Sequence, residues 1–110
     1  MNLGFRPACK IWFEKDGEVF GEGLYNLLLL IESTGSISGA ASQMEMSYRA
    51  AWGKIRAAEK RWGIRLVNAR VGGETGGGSK LTGEAAELVK RFGKFREEAD
   101  RLLKNWSGGL

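Results

Sequence analysis

The chain has 110 residues, 43% of them hydrophobic, which is enough for one modest core and predicts a single domain over residues 1–110. Cys9 is its one cysteine and the sequence has no histidine, which excludes an intramolecular disulfide, a thiolate–imidazole zinc site and Ser-His-Asp catalysis. The longest apolar run, residues 27–31, is too short to span a bilayer. We therefore expect a cytoplasmic protein with no metal, no cofactor and no membrane partner.

The net charge of +4 is concentrated in the middle of the chain. Residues 36–80 carry a net charge of +5, whereas residues 1–35 carry −2 and residues 81–110 carry +1. Phosphate contacts supply much of the affinity of proteins for nucleic acid, because each contact releases counterions. The charge distribution therefore favours a polyanionic partner that binds the middle of the chain.

The first thirty-five residues predict a short hairpin followed by a helix. Residues 10–14 are rich in strand formers, and Asp16-Gly17 is a tight-turn signal, so we expect a strand and turn at 10–20. A helix is predicted at 23–34. Leu29 and Leu30 widen its apolar surface beyond one stripe, which indicates that the helix is covered on more than one side, for example by a second subunit.

Residues 36–63 predict two helices joined by a short turn. Gly35 can take the left-handed conformation that ends a helix, and Ser36 can cap the next one. Apolar residues then recur at helical spacing for barely two turns. The pattern breaks at 46–47, where Ser47 is the expected N-cap of a second helix from Tyr48 to Trp62.

The second helix of this pair has two distinct faces. At roughly 100° per residue, the predicted core face collects Tyr48, Ala51, Trp52, Ile55, Ala58 and Trp62. The opposite side carries a cationic stripe, Arg49, Gly53, Arg56 and Lys60, with Lys54 and Arg61 flanking it and Ala50 and Ala57 between. Arginine can read the acceptor edge of guanine and alanine can contact a thymine methyl, so this face suits a DNA groove. A solvated charged face is the alternative interpretation.

Residues 64–81 predict a hairpin with a glycine-rich tip. A strand is expected at 66–71 and its partner at 79–81, before Thr82 caps the last helix. Gly73, Gly76 and Gly77 would let the hairpin approach a DNA backbone, and a flexible surface loop is the alternative. The spacing of Gly73 and Gly78 also fits a phosphate-binding loop, but the order Ser79-Lys80 is the reverse of that motif.

The last helix, predicted at 82–106, has the clearest periodicity in the chain. Its apolar residues follow a 3.5-residue repeat: Ala85, Leu88, Phe92, Phe95, Ala99, Leu102 and Trp106. A helix of this length extends about 35 Å, which is longer than a small core can cover, so we expect it to dimerise. The predicted interface is Leu29, Leu30, Leu88, Phe92, Phe95 and Leu102, and packing within one chain is the alternative.

Three motifs together carry a family resemblance: Gly35-Ser36-Ile37-Ser38 with Ala40-Ala41, the run from Met46 to Trp52, and the glycine-rich tip leading to Leu81-Thr82. Over roughly residues 10–104 the chain resembles the N-terminal DNA-binding domain of the ModE molybdate-responsive regulators and, more distantly, the LysR-type winged helices. The resemblance implies a mostly α winged helix-turn-helix that dimerises through its first and last helices and binds a palindromic operator. The family's sensor half, a pair of oxyanion-binding β-barrels, would follow residue 110, so molybdate sensing is not carried over.

The sequence therefore predicts a nucleoid-associated, ModE-like transcription regulator without enzymatic activity, specific for double-stranded DNA. Arg49 is the expected base reader, Ser47 would hold a phosphate, and Arg56, Lys60 and Lys80 would contact the DNA backbone. The full predicted DNA-binding set is Ser36, Ser47, Tyr48, Arg49, Ala50, Gly53, Lys54, Arg56, Lys60, Gly73, Gly76, Gly77 and Lys80. The alternative function is a dimeric protein-interaction adaptor that keeps the same fold.

Overall fold

A computed structural model describes residues 3–70 and 78–106. Within these residues the chain forms a mostly α winged helix-turn-helix, as predicted. The elements in chain order are β1 (Phe13–Lys15), β2 (Glu18–Phe20), α1 (Glu22–Thr34), α2 (Ile37–Gln43), α3 (Tyr48–Trp62), β3 (Val67–Arg70), β4 (Gly78–Leu81) and α4 (Gly83–Asn105). Each hairpin is a separate two-stranded antiparallel sheet, β1 with β2 and β3 with β4, and we call the β3–β4 hairpin the wing.

The N-terminal hairpin turns where the sequence predicts. Asp16 and Gly17 have φ of 53° and 80°, a combination that suits the two central residues of a tight hairpin turn. Phe13 pairs with Phe20 across the strands. The first strand, β1, is shorter than predicted and does not include residues 10–12.

The core forms around α1, whose Leu27, Leu28 and Ile31 are fully buried. Phe92 of α4 closes this core from the side and is also fully buried. Its ring lies 5.3 Å from the rings of Phe13 and Phe20 and 4.8 Å from that of Tyr25, measured between centroids. The prediction that Phe92 belongs to a dimer interface is therefore wrong, because its own chain already covers it.

The two halves of α4 have different surroundings. In the first half, Ala85, Val89 and Phe92 are buried, and Leu88 packs against the core, as Leu30 of α1 does. In the second half Phe95 stacks on Phe13 but is 37% exposed, Ala99 and Leu103 are partly buried, and Leu102 is 70% exposed. The described chain measures 62 × 30 × 22 Å, so it is much longer than it is wide. None of its described helices is both long enough and apolar enough to cross a membrane.

Side-chain caps and backbone bonds fix the corner and the wing. Ser36 Oγ accepts from Gly39 N at 2.9 Å at the start of α2. Thr82 Oγ1 accepts from Ala85 N at 3.1 Å at the start of α4. Ser79 N in β4 donates to Gly35 O at 2.8 Å, which ties the wing to the corner between α1 and α2. The start of α2 and the wing therefore have a defined relative position.

Candidate nucleic-acid interface

The first turns of α3 expose two aromatic side chains. Tyr48 is 53% exposed and Trp52 is 44% exposed, so the prediction that they belong to the core face is wrong. The buried stripe of α3 is Ala51, Ile55, Ala58, Glu59 and Trp62. Trp52 lies about 75° around the helix from the centre of that stripe. Tyr48 lies only about 35° from it but is the first residue of the helix, and both side chains face the wing.

An open cleft of about 270 Å³ separates α3 from the wing. We call it the helix–wing cleft. It is lined by Ile37, Tyr48, Trp52, Ile55, Arg56, Arg65, Val67, Asn68, Ala69, Gly78 and Ser79. The guanidinium of Arg56 lies over the Trp52 ring, 5.2 Å from its centroid. The cleft thus combines exposed aromatic surface with arginine side chains, which is a composition that suits nucleic acid.

A buried carboxylate pairs with both arginines that line this cleft. Glu59 is 7% exposed, and its Oε2 accepts from the backbone N of Leu66 at 2.7 Å and of Val67 at 3.3 Å. Its Oε1 accepts from Arg56 Nη1 at 2.8 Å, and Arg65 Nε lies 3.6 Å from Oε2. Burial raises the pKa of the carboxyl, but the backbone amides and Arg56 outweigh burial, so the pKa of Glu59 lies below its ordinary value of 4.5. Glu59 therefore joins α3 to the first strand of the wing as a carboxylate.

The cationic stripe of α3 points to solvent. Arg49, Gly53, Arg56 and Lys60 are all exposed, as is Ala50. Arg56 differs from the others because Glu59 already holds its guanidinium. Lys54 lies on another side of α3, in a groove with Arg61 and the start of α1. The structure therefore brings most of the stripe together and leaves Lys54 apart from it.

Three more predicted residues, Ser36, Ser47 and Lys80, occupy three different places. Ser47 is the N-cap of α3, and its Oγ accepts from Ala50 N at 3.0 Å. Ser36 caps α2, and Lys80 is exposed on β4 in a shallow groove with Glu32 and Gly35, outside the helix–wing cleft. The last three predicted residues, Gly73, Gly76 and Gly77, lie outside the described residues.

Sequence reasoning missed Glu59 and Arg65. Glu59 follows Ile55 by four residues and precedes Trp62 by three, so helical spacing already places it on the core stripe. A carboxylate on such a stripe needs a partner, and Arg56 lies three residues before it. That pairing was the available signal. The two backbone donors come from beyond the end of α3 and have no local signature.

Comparison with known proteins identifies the family. Residues 24–86 match the family described as bacterial regulatory helix-turn-helix proteins of the lysR family. The molybdenum-pterin-binding protein MopB of Rhodobacter capsulatus is 33% identical over 105 residues, which are 96% of this chain and 39% of that protein. The transcriptional regulator ModE of Haemophilus influenzae is 33% identical over 84 residues, covering 74% of this chain and 33% of ModE.

A solved structure supports the same fold. It is the crystal structure of a CbnR_DBD–DNA complex, which superposes with a TM-score of 0.55 at 18% identity and covers 72% of this chain and 85% of that one. At that identity the likeness concerns the fold. Both sequence relatives are longer proteins, and this chain spans 39% of MopB and 33% of ModE. The chain belongs to the bacterial regulatory helix-turn-helix proteins of the LysR family.

Proposed function

We propose that this chain binds double-stranded DNA as a ModE-like transcription regulator, linked to molybdenum transport or metabolism and associated with the nucleoid in the cytoplasm. The observation that carries the proposal is the exposed cationic stripe on α3, within the segment that matches the family. The link to molybdenum rests on the relative MopB, which is described as a molybdenum-pterin-binding protein, and the regulator function on the relative ModE. The activity that we propose is regulation rather than catalysis.

The first turns of α3 would enter the major groove. Arg49 is exposed next to the N-cap and would read a base edge, with Ala50 and Gly53 allowing close approach. The Ser47 hydroxyl accepts one backbone bond and keeps a proton with which to donate to a phosphate. Lys60, near the other end of the helix, would contact the DNA backbone.

A second copy of the chain would cover the exposed half of α4, where Leu102 is 70% and Trp106 45% exposed. Phe95 is stacked on Phe13 of its own chain but stays partly exposed, and Leu29 is exposed separately on α1. Exposed apolar patches of this kind mark interaction sites. Most soluble homo-oligomers are two-fold symmetric, so a dimer would read an operator with two-fold symmetry. Phe92 has no part in this interface.

Salt-dependent DNA binding tests the proposal. Fluorescence anisotropy of a labelled duplex should show binding at low salt, with log K falling against log salt by about 0.9 for each phosphate neutralised. Lys60→Ala should make that slope shallower. Lys90→Ala removes the same charge from an exposed position on α4 and should leave the slope unchanged. A chain that binds no duplex at low salt would remove the regulator function and favour the protein-interaction adaptor.

A further inference from the structure

Trp52 projects from the second turn of α3 into the helix–wing cleft, with 44% of its surface exposed. The core stripe passes beside it through Ala51 and Ile55 and leaves the indole uncovered. An indole has a broad apolar body and one N–H donor. It therefore suits a ligand with an apolar side and an anionic side, and a deoxyribose with its phosphate is such a ligand.

Arg56 holds the indole in place rather than offering a free charge. Its guanidinium stacks over the Trp52 ring, while its Nη1 donates to Glu59 Oε1 at 2.8 Å. Glu59 is itself held by the backbone amides of Leu66 and Val67, where the first strand of the wing begins. The orientation of Trp52 is therefore coupled, through two side chains, to the position of the wing.

The charges of the two cleft arginines and of Glu59 do not cancel. Two guanidinium groups, those of Arg56 and Arg65, share the single carboxylate of Glu59. Arg65 makes the longer contact, at 3.6 Å, and its side chain is 58% exposed. One positive charge is left over beside Trp52, which matches the charge of one phosphate group.

We infer that the helix–wing cleft binds one sugar–phosphate unit of the DNA backbone. Trp52 packs against the deoxyribose, Arg65 contacts the phosphate, and Arg56 is a positioning residue that acts through Trp52. This inference rests on the proposed DNA binding and adds a contact that carries no sequence information. Trp52 therefore sets affinity for all duplexes alike, unlike Arg49.

Tryptophan emission tests the contact directly. Addition of an unlabelled duplex of mixed sequence should change the emission of the wild-type chain, and Trp52→Phe should abolish most of that change. Trp12→Phe and Trp106→Phe are matched controls, because both indoles are similarly exposed and lie outside the cleft. If the Trp52→Phe protein still binds the duplex and shows the full change in emission, the cleft contact is overturned and the proposed DNA binding stands. If the wild-type chain binds no duplex, both the cleft contact and the proposed DNA binding are overturned.

A double-mutant cycle tests the positioning role of Arg56. Trp52→Ala should weaken binding to every duplex by about tenfold, and thermal unfolding should confirm that the protein remains folded. Arg56→Gln should weaken binding several-fold in the wild-type background but less than twofold in the Trp52→Ala background, because its effect passes through the indole. Equal losses in both backgrounds would show that Arg56 contacts DNA independently.

The salt slope tests Arg65. Arg65→Gln should reduce the slope of log K against log salt by about 0.9, the value for one phosphate contact. An unchanged slope would remove Arg65 from the phosphate and overturn that part of the inference.

Discussion

Replacement of Glu59 by alanine should destabilise the protein strongly, because the carboxylate serves several buried partners at once. The change leaves the amide donors of Leu66 and Val67 without their acceptor in a buried environment. It also leaves Arg56 without its counter-ion. Both arginines that pair with Glu59 are half-exposed and stay solvated, so the cost comes mainly from the two buried amides, at about 1–3 kcal/mol each. Glu59→Gln keeps one acceptor oxygen for a backbone amide and should cost about 1–3 kcal/mol.

Urea unfolding followed by circular dichroism measures these costs. Glu87→Ala is the matched control, because Glu87 also pairs with an arginine of its own helix, Arg91, at 2.7 Å, but in full view of solvent. We expect Glu87→Ala to leave the unfolding midpoint almost unchanged, since exposed ion pairs contribute little. Equal midpoints for the Glu59→Ala and Glu87→Ala proteins would refute the role assigned to the buried carboxylate.

The same carboxylate predicts a pH dependence. The folded-state pKa of Glu59 lies below its ordinary value of 4.5, so the unfolded state binds a proton more readily than the folded state. The stabilisation from Glu59 is therefore complete above that ordinary value and is lost as the pH falls through the lowered folded-state pKa. The difference in unfolding free energy between wild type and Glu59→Gln should shrink over that acidic range. A difference that stays constant there would contradict the assignment.

Three further substitutions test the corner, the reading residue and the dimer. Gly39→Ala should cost about 1–3 kcal/mol in urea unfolding, because a Cβ there would lie 3.0 Å from Ser36 Oγ and from Thr34 Cβ. Gly53→Ala is the control, because a Cβ at Gly53 would meet open space, and it should stabilise α3 by about 0.5–1 kcal/mol. A loss of stability in the Gly53→Ala protein would contradict the open space assigned to that position. Arg49→Ala should reduce the free energy of binding to the operator by about 1–3 kcal/mol and relax the preference at one base pair, whereas Lys60→Ala should weaken binding to all duplexes alike. If Arg49→Ala weakens binding to operator and random DNA equally, Arg49 is a phosphate contact. Leu102→Glu should yield monomers in sedimentation, while Arg101→Gln, which makes the same change in net charge, should not; a dimeric Leu102→Glu protein would move the interface elsewhere.

Helix starts and turns were predictable because their signals are local. Ser47 and Thr82 cap α3 and α4 as their side-chain chemistry predicts, and the Asp16-Gly17 turn has the positive φ values that its residues favour. Each of these features depends on residues within three positions of one another. No distant part of the chain is needed to specify them.

Features that depend on distant neighbours were less predictable. The apolar repeat of α4 continues through Phe92 to Leu102, yet the core covers Phe92 and leaves Leu102 exposed. Periodicity identifies the face of a helix but not where the neighbouring elements end. The same limit applies to Trp52, whose spacing fits a core face although the wing stands off from it and leaves a cleft.

Selection from a pool of randomised duplexes tests the central claim, that a dimer of this chain reads DNA sequence through α3. After several rounds of capture by the purified protein, sequencing should show an inverted repeat whose half-sites lie about one helical turn apart. The Arg49→Ala protein should lose preference at one symmetric pair of positions in that repeat. A selected pool that stays random in sequence, or one enriched in a single half-site without symmetry, would contradict the account.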